Sequence, residues 1–193
     1  MISVGAPTSL WGPGPPTVDD IDGLLGWPVF VKGARQTSRH RASLHIAEGP
    51  DAYRKLLELW RHDPILHWQT VVCRKYLRLR RIDGDSGDRV PPAFELRAFF
   101  WRGQLAGLGR YWWDAPPYQV TPKEESDAVA IASEAARRLD VPFLVVDVGQ
   151  DVDGRWWVIE CNDAQEAGHA GVSPFALWQA IVSMERGWPS RGA

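Results

Sequence analysis

Cysteine is scarce in this chain. Only Cys73 and Cys161 occur, and neither stands at the short spacing that builds a zinc site. Both fall in predicted strands on opposite halves, so a reduced, cytoplasmic protein is expected. No apolar run approaches the ~20 residues of a bilayer-spanning helix, and no membrane association is expected. Residues 1–16 lack the charged and apolar regions of a secretory signal. Basic excess is also missing: the formal charge is −2, which argues against a dedicated nucleic-acid binder. There is no G-x-x-x-x-G-K-[ST] loop and no G-x-S-x-G elbow, so a Walker-type phosphate loop and Ser/His/Asp catalysis have no support. His40, His45, His62, His67 and His169 are scattered, with no helix-face pair for a metal. No internal repeat is visible.

Tryptophan, by contrast, is abundant, with 11 residues, enough to build cores and to line a cleft. The chain divides by pattern. Residues 1–27 are rich in Pro and Gly and read as a loose lead-in. Residues 28–82 form a first lobe, 83–92 a Gly/Asp/Pro linker, 93–187 a second lobe, and 188–193 a tail. In the first lobe a buried strand over 28–33 ends in Lys32 and Gly33. A polar loop from Gly33 to Ser43 follows, then a second strand over 42–46, a helix over 50–61 opened by Pro50, and a strand-like stretch over 69–81. The second lobe reads as a hairpin (94–101 and 104–111), a helix from the Thr121-Pro122-Lys123-Glu124 capping box to Leu139, another hairpin, and a last helix from Pro174 to about Gly187. This order predicts an α+β fold with mainly antiparallel sheets.

The second hairpin carries the chemistry. Strands over 143–149 and 156–162 flank Asp153-Gly154, the pair suited to a two-residue type I′ turn closed by Val152 and Arg155. That register sets Asp147 directly opposite Glu160, with Asn162 two residues on and on the same face. Opposed carboxylates repel unless something neutralises them. Mg²⁺ does so with oxygen ligands, which makes Asp147, Glu160 and Asn162 a candidate metal set. An exposed polar face without metal is the plain alternative.

Other residues are ambiguous by themselves. Lys32, followed by a loop with Arg35, Arg39, His40 and Arg41, suits polyphosphate oxygens or an ordinary basic surface. Glu95 and Arg97 share a strand face, as a ribose and phosphate pair or as a cross-strand salt bridge. Arg74, Arg78 and Arg80 share a face of the 69–81 stretch, as a solvated surface or an RNA contact.

Taken in order, the segments Val29-Phe30-Val31-Lys32-Gly33, Val71-Val72-Cys73-Arg74-Lys75-Tyr76-Leu77, Phe94-Glu95-Leu96-Arg97-Ala98-Phe99, Val146-Asp147-Val148 and Val158-Ile159-Glu160-Cys161-Asn162-Asp163 resemble the ATP-grasp superfamily. The likeness runs over about residues 28–185, and is strongest to short bacterial ATP-grasp domains. The resemblance implies two α+β lobes enclosing a nucleotide cleft. It implies that Lys32 contacts the phosphates and takes part in catalysis with Arg97. Backbone around Lys75 and Leu77 would read the adenine, Lys75 would also approach the nucleotide, and Glu95 would lie near the ribose. Asp147, Glu160 and Asn162 would hold Mg²⁺.

The activity so implied is ATP- and Mg-dependent ligation of a carboxylate to an amine or similar nucleophile through an acyl-phosphate. The substrates implied are ATP, a carboxylate and a nucleophile. The chain departs from the family pattern at Arg74, where many members are acidic. Only 27 residues precede the lysine strand, too few for the further domain that usually helps bind the acyl substrate. A protein partner or a second copy would then supply that wall. An ATP-binding assembly chaperone or regulatory module without turnover is the alternative function.

Overall fold

The computed structural model describes residues 5–35, 41–82, 87 and 89–187. Part of the expected loop, with Arg39 and His40, lies outside these residues, as do most of the 83–88 linker segment and the 188–193 tail. The chain forms two compact units. One comprises Pro7–Arg78 and Gly84–Pro92; the other comprises Met1–Ala6, Leu79–Asp83 and Ala93–Ala193. The α+β class and the antiparallel sheets are as the sequence predicts.

The first unit is built on a four-stranded sheet of order β1-β4-β2-β3, from β1 (Ser9–Leu10), β2 (Val29–Gly33), β3 (Ile46–Ala47) and β4 (Val71–Lys75). All its pairings are antiparallel. Val29, Val31 and Cys73 turn to a core with Tyr53, Leu56 and Trp60 of helix α3 (Pro50–His62). The lead-in expected over 1–27 is not loose across its described residues 5–27. Its Ser9–Leu10 pairs with β4, and Val18–Leu24 forms helix α1, which buries Ile21. Thr17 caps that helix, its hydroxyl accepting from the Asp20 amide while Asp20 reaches back to the Thr17 amide. A capping box with Asp in place of Glu hides easily among prolines and glycines. The strand expected over 42–46 is also corrected: Ala42–His45 is a helical turn, α2, and only Ile46–Ala47 pairs with β2. Buried His45 decides this, its Nδ1 lying 2.8 Å from the Val31 carbonyl and its ring stacked on Phe30.

The second unit holds a sheet of order β6-β5-β7-β8, from β5 (Glu95–Trp101), β6 (Gln104–Arg110), β7 (Phe143–Gln150) and β8 (Trp156–Asp163). Arg102 and Gly103, both at positive φ, make the tight β5–β6 turn. Helix α4 (Pro122–Leu139) starts at the Thr121 capping box, as the sequence predicts. Its Ala128, Ala132, Ala135 and Ala136 let it lie close on Leu96, Ala98, Leu144, Val146 and Val148. Helix α5 (Pro174–Gly187) covers part of the opposite face, packing Leu177 and Ile181 on Phe99, Phe143 and Val145.

The basic stretch expected over 69–81 is not one strand. β4 ends at Lys75, and Arg80 belongs to the second unit, where its Nη1 donates to Glu124 (2.6 Å) and Gln150 (2.9 Å) and its guanidinium sits over Phe94. Arg80 is thus spent on the fold, and the proposed RNA-facing row loses its continuity.

Candidate nucleotide and metal site

Asp147 does lie opposite Glu160, but by a different route from the one the sequence suggests. The turn is one residue longer than the two-residue form. Asp151 and Arg155 close it (Asp151 N to Arg155 O, 2.9 Å), with Gly154 at φ +81. Asp151 braces the loop, accepting from the Asp153 and Arg155 amides. Gln150, Gly149 and Val148 then pair with Trp156, Trp157 and Val158. A bulge at Ile159 absorbs the one-residue offset, and Asp147 meets Glu160.

The bulge has a physical purpose. Trp156, Val158, Glu160 and Asn162 are two apart, so a regular strand would aim all four at one face. Trp156 and Val158 belong to the α4-covered core, and two polar groups there would be costly. The extra residue turns Glu160 to the face of Asp147, while Cys161, paired with Val146, packs against the α4 core.

The α5 face therefore has an apolar half and a polar half. Arg97 pairs with Asp147 across β5 and β7, and Glu95 pairs with Gly149. Arg97 Nε and Nη2 donate to Asp147 Oδ1 and Oδ2, each at 2.8 Å, and Nη1 donates to the Gly168 carbonyl at 2.6 Å. The two side chains are 12% and 2% exposed. The Tyr111 ring lies 4.8 Å from the guanidinium carbon. Burial works most strongly against the charge on Arg97, but the hydrogen bonds and attraction of Asp147, with smaller help from Tyr111 and Glu160, together outweigh it and hold the guanidinium protonated.

Glu95 is buried. Its Oε1 accepts from Trp112 Nε1 at 2.8 Å, and its backbone carbonyl accepts from the Tyr111 amide and the Tyr118 hydroxyl. Gly149 makes room for it: a Cβ there would sit 3.2 Å from both Glu95 Cγ and Ile159 Cγ1. Burial pushes the Glu95 carboxyl up to about 7, the Trp112 bond opposes this, and Asp147 adds to it. An unfolded glutamate ionises near 4.5. Between that pH and about 7 the folded state holds the extra proton, so stability falls as pH rises through this window and is lowest above it. Glu95→Gln is expected to exceed wild type in stability by on the order of 3 kcal/mol at pH 8 and to match it below pH 4. Urea unfolding at the two pH values checks this.

The residues nominated from sequence thus divide between the units. Glu95, Arg97, Asp147, Glu160 and Asn162 share one face of the second sheet. Lys32 lies on β2 of the first, mostly buried and opposite Val72, while Lys75 ends β4 opposite Val29. Leu77 is half-buried just beyond that strand. Tyr111 and Trp112 escaped notice in the sequence. The run Tyr111-Trp112-Trp113 after a strand was a usable signal, since a buried indole needs an acceptor and a buried acid needs a donor.

The donor set fits Mg²⁺ in chemistry. Asp147 and Glu160 are opposed carboxylates, Asn162 offers an amide oxygen, and Arg97 is paired with Asp147. Among the described residues no group of three or more His, Cys, Asp and Glu side chains is placed to hold a metal. A third protein ligand here would have to be the amide. No helix among the described residues is long and apolar enough to cross a membrane.

Two units, each with an antiparallel four-stranded sheet, and on one face of the second sheet two opposed acids and an arginine, define the class of fold. The chain belongs to the ATP-grasp domain proteins, as a member of family 3 of one ATP-grasp clade, whose model matches residues 24–181. It is 26% identical over 185 residues to a D-alanine–D-alanine ligase of Halorhodospira halophila (strain DSM 244 / SL1), covering 86% of this chain and 54% of that protein. Its fold matches a D-alanine–D-alanine ligase of Bacillus anthracis complexed with ATP, with TM-score 0.58 and 19% identity over 94% of this chain and 59% of that one. It also matches the ATP-grasp ligase PsnB complexed with a precursor peptide and AMPPNP, with TM-score 0.56 and 16% identity over 93% and 52%. The chain spans about half the length of the curated relative it matches.

Proposed function

We propose that this chain binds ATP with Mg²⁺ and takes part in joining a carboxylate to an amine or similar nucleophile. The observation that carries this reading is the face holding Asp147, Glu160 and Arg97 on an ATP-grasp fold. In the reaction so proposed, an oxygen of the carboxylate attacks the γ-phosphorus of ATP and the bond to ADP breaks. The amine then attacks the acyl carbon, phosphate leaves, and the amine loses a proton. Lys32 and Arg97 steady phosphate oxygens with their positive charges. Backbone near Lys75 and Leu77 holds the adenine, Lys75 also approaches the nucleotide, and Glu95 lies on the ribose side. Asp147, Glu160 and Asn162 would hold Mg²⁺, which when bound neutralises phosphate charge. The D-alanine–D-alanine ligases and the peptide-bound PsnB support this class of substrate.

Calorimetry of ATP with Mg²⁺ tests the reading. Wild type is expected to bind, and Glu160→Ala to bind about tenfold more weakly or worse while keeping its circular dichroism and unfolding midpoint. Absence of nucleotide binding by wild type would refute the proposal. Release of AMP and pyrophosphate instead of ADP and phosphate would refute the acyl-phosphate route. Binding without turnover on any acyl substrate would favour the chaperone or regulatory reading.

A further inference from the structure

Arg97 is already engaged in this structure. Its fork takes both Asp147 oxygens, its third bond goes to the Gly168 carbonyl, and the Tyr111 ring lies against its plane. A bidentate pair of two nearly buried side chains is a strong, oriented contact, and it occupies the oxygens a metal ion would take. We propose that Arg97 is the resident counter-ion of Asp147, which a divalent cation must displace, and that the displaced guanidinium then turns to phosphate oxygens. The inference rests on Asp147 and Glu160 being cation ligands, as proposed above.

Charge balance makes the exchange reciprocal. Asp147 faces Glu160 and needs one cation to neutralise it, whether guanidinium or metal. Both cations together leave a positive excess, which the anionic triphosphate removes. Metal without nucleotide must therefore compete with Arg97, whereas metal with nucleotide gives Arg97 a new partner. The two ligands bind cooperatively for that reason, each raising the affinity for the other by the same factor. Arg97 also holds Gly168, so its movement alters the tether of the segment between β8 and α5.

The test titrates Mn²⁺ alone, without nucleotide, into the full chain as wild type, Arg97→Lys and Arg97→Met, read by calorimetry and by the shift in thermal midpoint. Lysine keeps the charge but cannot grip two oxygens at once. Arg97→Lys is therefore expected to bind Mn²⁺ more tightly than wild type, and Arg97→Met about tenfold more tightly. Mn²⁺ should also raise the midpoint of Arg97→Met more than that of wild type. Simple loss of positive charge would tighten Arg97→Met and leave Arg97→Lys unchanged, so an unchanged or weakened Arg97→Lys overturns the proposal. Where Arg97→Met does not fold, Arg97→Lys decides by itself. Wild type that binds Mn²⁺–ATP through Glu160 while Arg97→Lys gains nothing refutes the counter-ion role alone. A chain that binds Mn²⁺ in no form, with or without ATP, refutes the ligand assignment as well.

Discussion

Arg97→Ala is expected to lower the unfolding free energy by about 3–5 kcal/mol, because it strands a buried carboxylate. Asp147 is 2% exposed as a side chain and draws two of its hydrogen bonds from Arg97. Removing the guanidinium costs more than the pair itself contributes, since the remaining charge keeps its desolvation penalty and loses its compensation. The loss should therefore shrink when Asp147 is neutralised too. Arg97→Ala with Asp147→Asn is expected to be more stable than Arg97→Ala alone, a non-additivity that a double-mutant cycle isolates. Urea unfolding followed by tryptophan emission measures all four proteins. Arg97→Ala within about 1 kcal/mol of wild type would mean that the pair behaves as an exposed one and that the buried description is wrong.

Gly109→Ala is the second large effect expected. A Cβ at that position would sit 2.6 Å from the Gly171 carbonyl carbon, 2.7 Å from the Val172 nitrogen and 2.8 Å from the Gly171 oxygen. These are all backbone atoms, so no side chain can swing away. The segment crossing β6 must lift, breaking the bond from the Gly171 amide to the Arg110 carbonyl (2.9 Å). A cost of about 3 kcal/mol is expected, at the upper end for overpacking. Gly107→Ala is the internal comparison. Its Cβ would meet the Val172 Cγ1 at 2.8 Å, a side-chain atom that can rotate, and about 1 kcal/mol is expected. Hydrogen exchange at 168–173 should quicken in Gly109→Ala and change little in Gly107→Ala. Equal costs for the two variants would show that the segment yields freely.

Much of the second unit was legible because its signals are local. The Thr121 box, the alternating strands and the two hairpins each declare themselves within a dozen residues. The opposition of Asp147 and Glu160 was legible for a less comfortable reason. A turn read one residue too short and an unread bulge at Ile159 offset each other. The bulge is silent in sequence because Ile159 continues an apolar run, and only the conflict between Val158 and Glu160 over one face betrays it. α1 was missed because proline and glycine around it outweighed a four-residue cap. The α2 turn was missed because His45 finds its partner in β2, far along the chain. Glu95 could be placed on a strand face, but its burial depends on Trp112, Gly149 and Ile159 meeting over it, which no local pattern states.

The supernumerary Ile159 separates two properties that the strand otherwise joins. Its position in the chain sets the phase of everything after it, while its side chain, like that of Glu95, borders the gap at Gly149. A chain shortened by this one residue would recover a regular ladder from Val158 straight to Glu160, with the acids still on the same side. What it would give up is the side chain that borders the gap at Gly149. The packing beside Gly149 and the placement of Glu160 are therefore set by different aspects of a single residue, and each can be altered while the other stands.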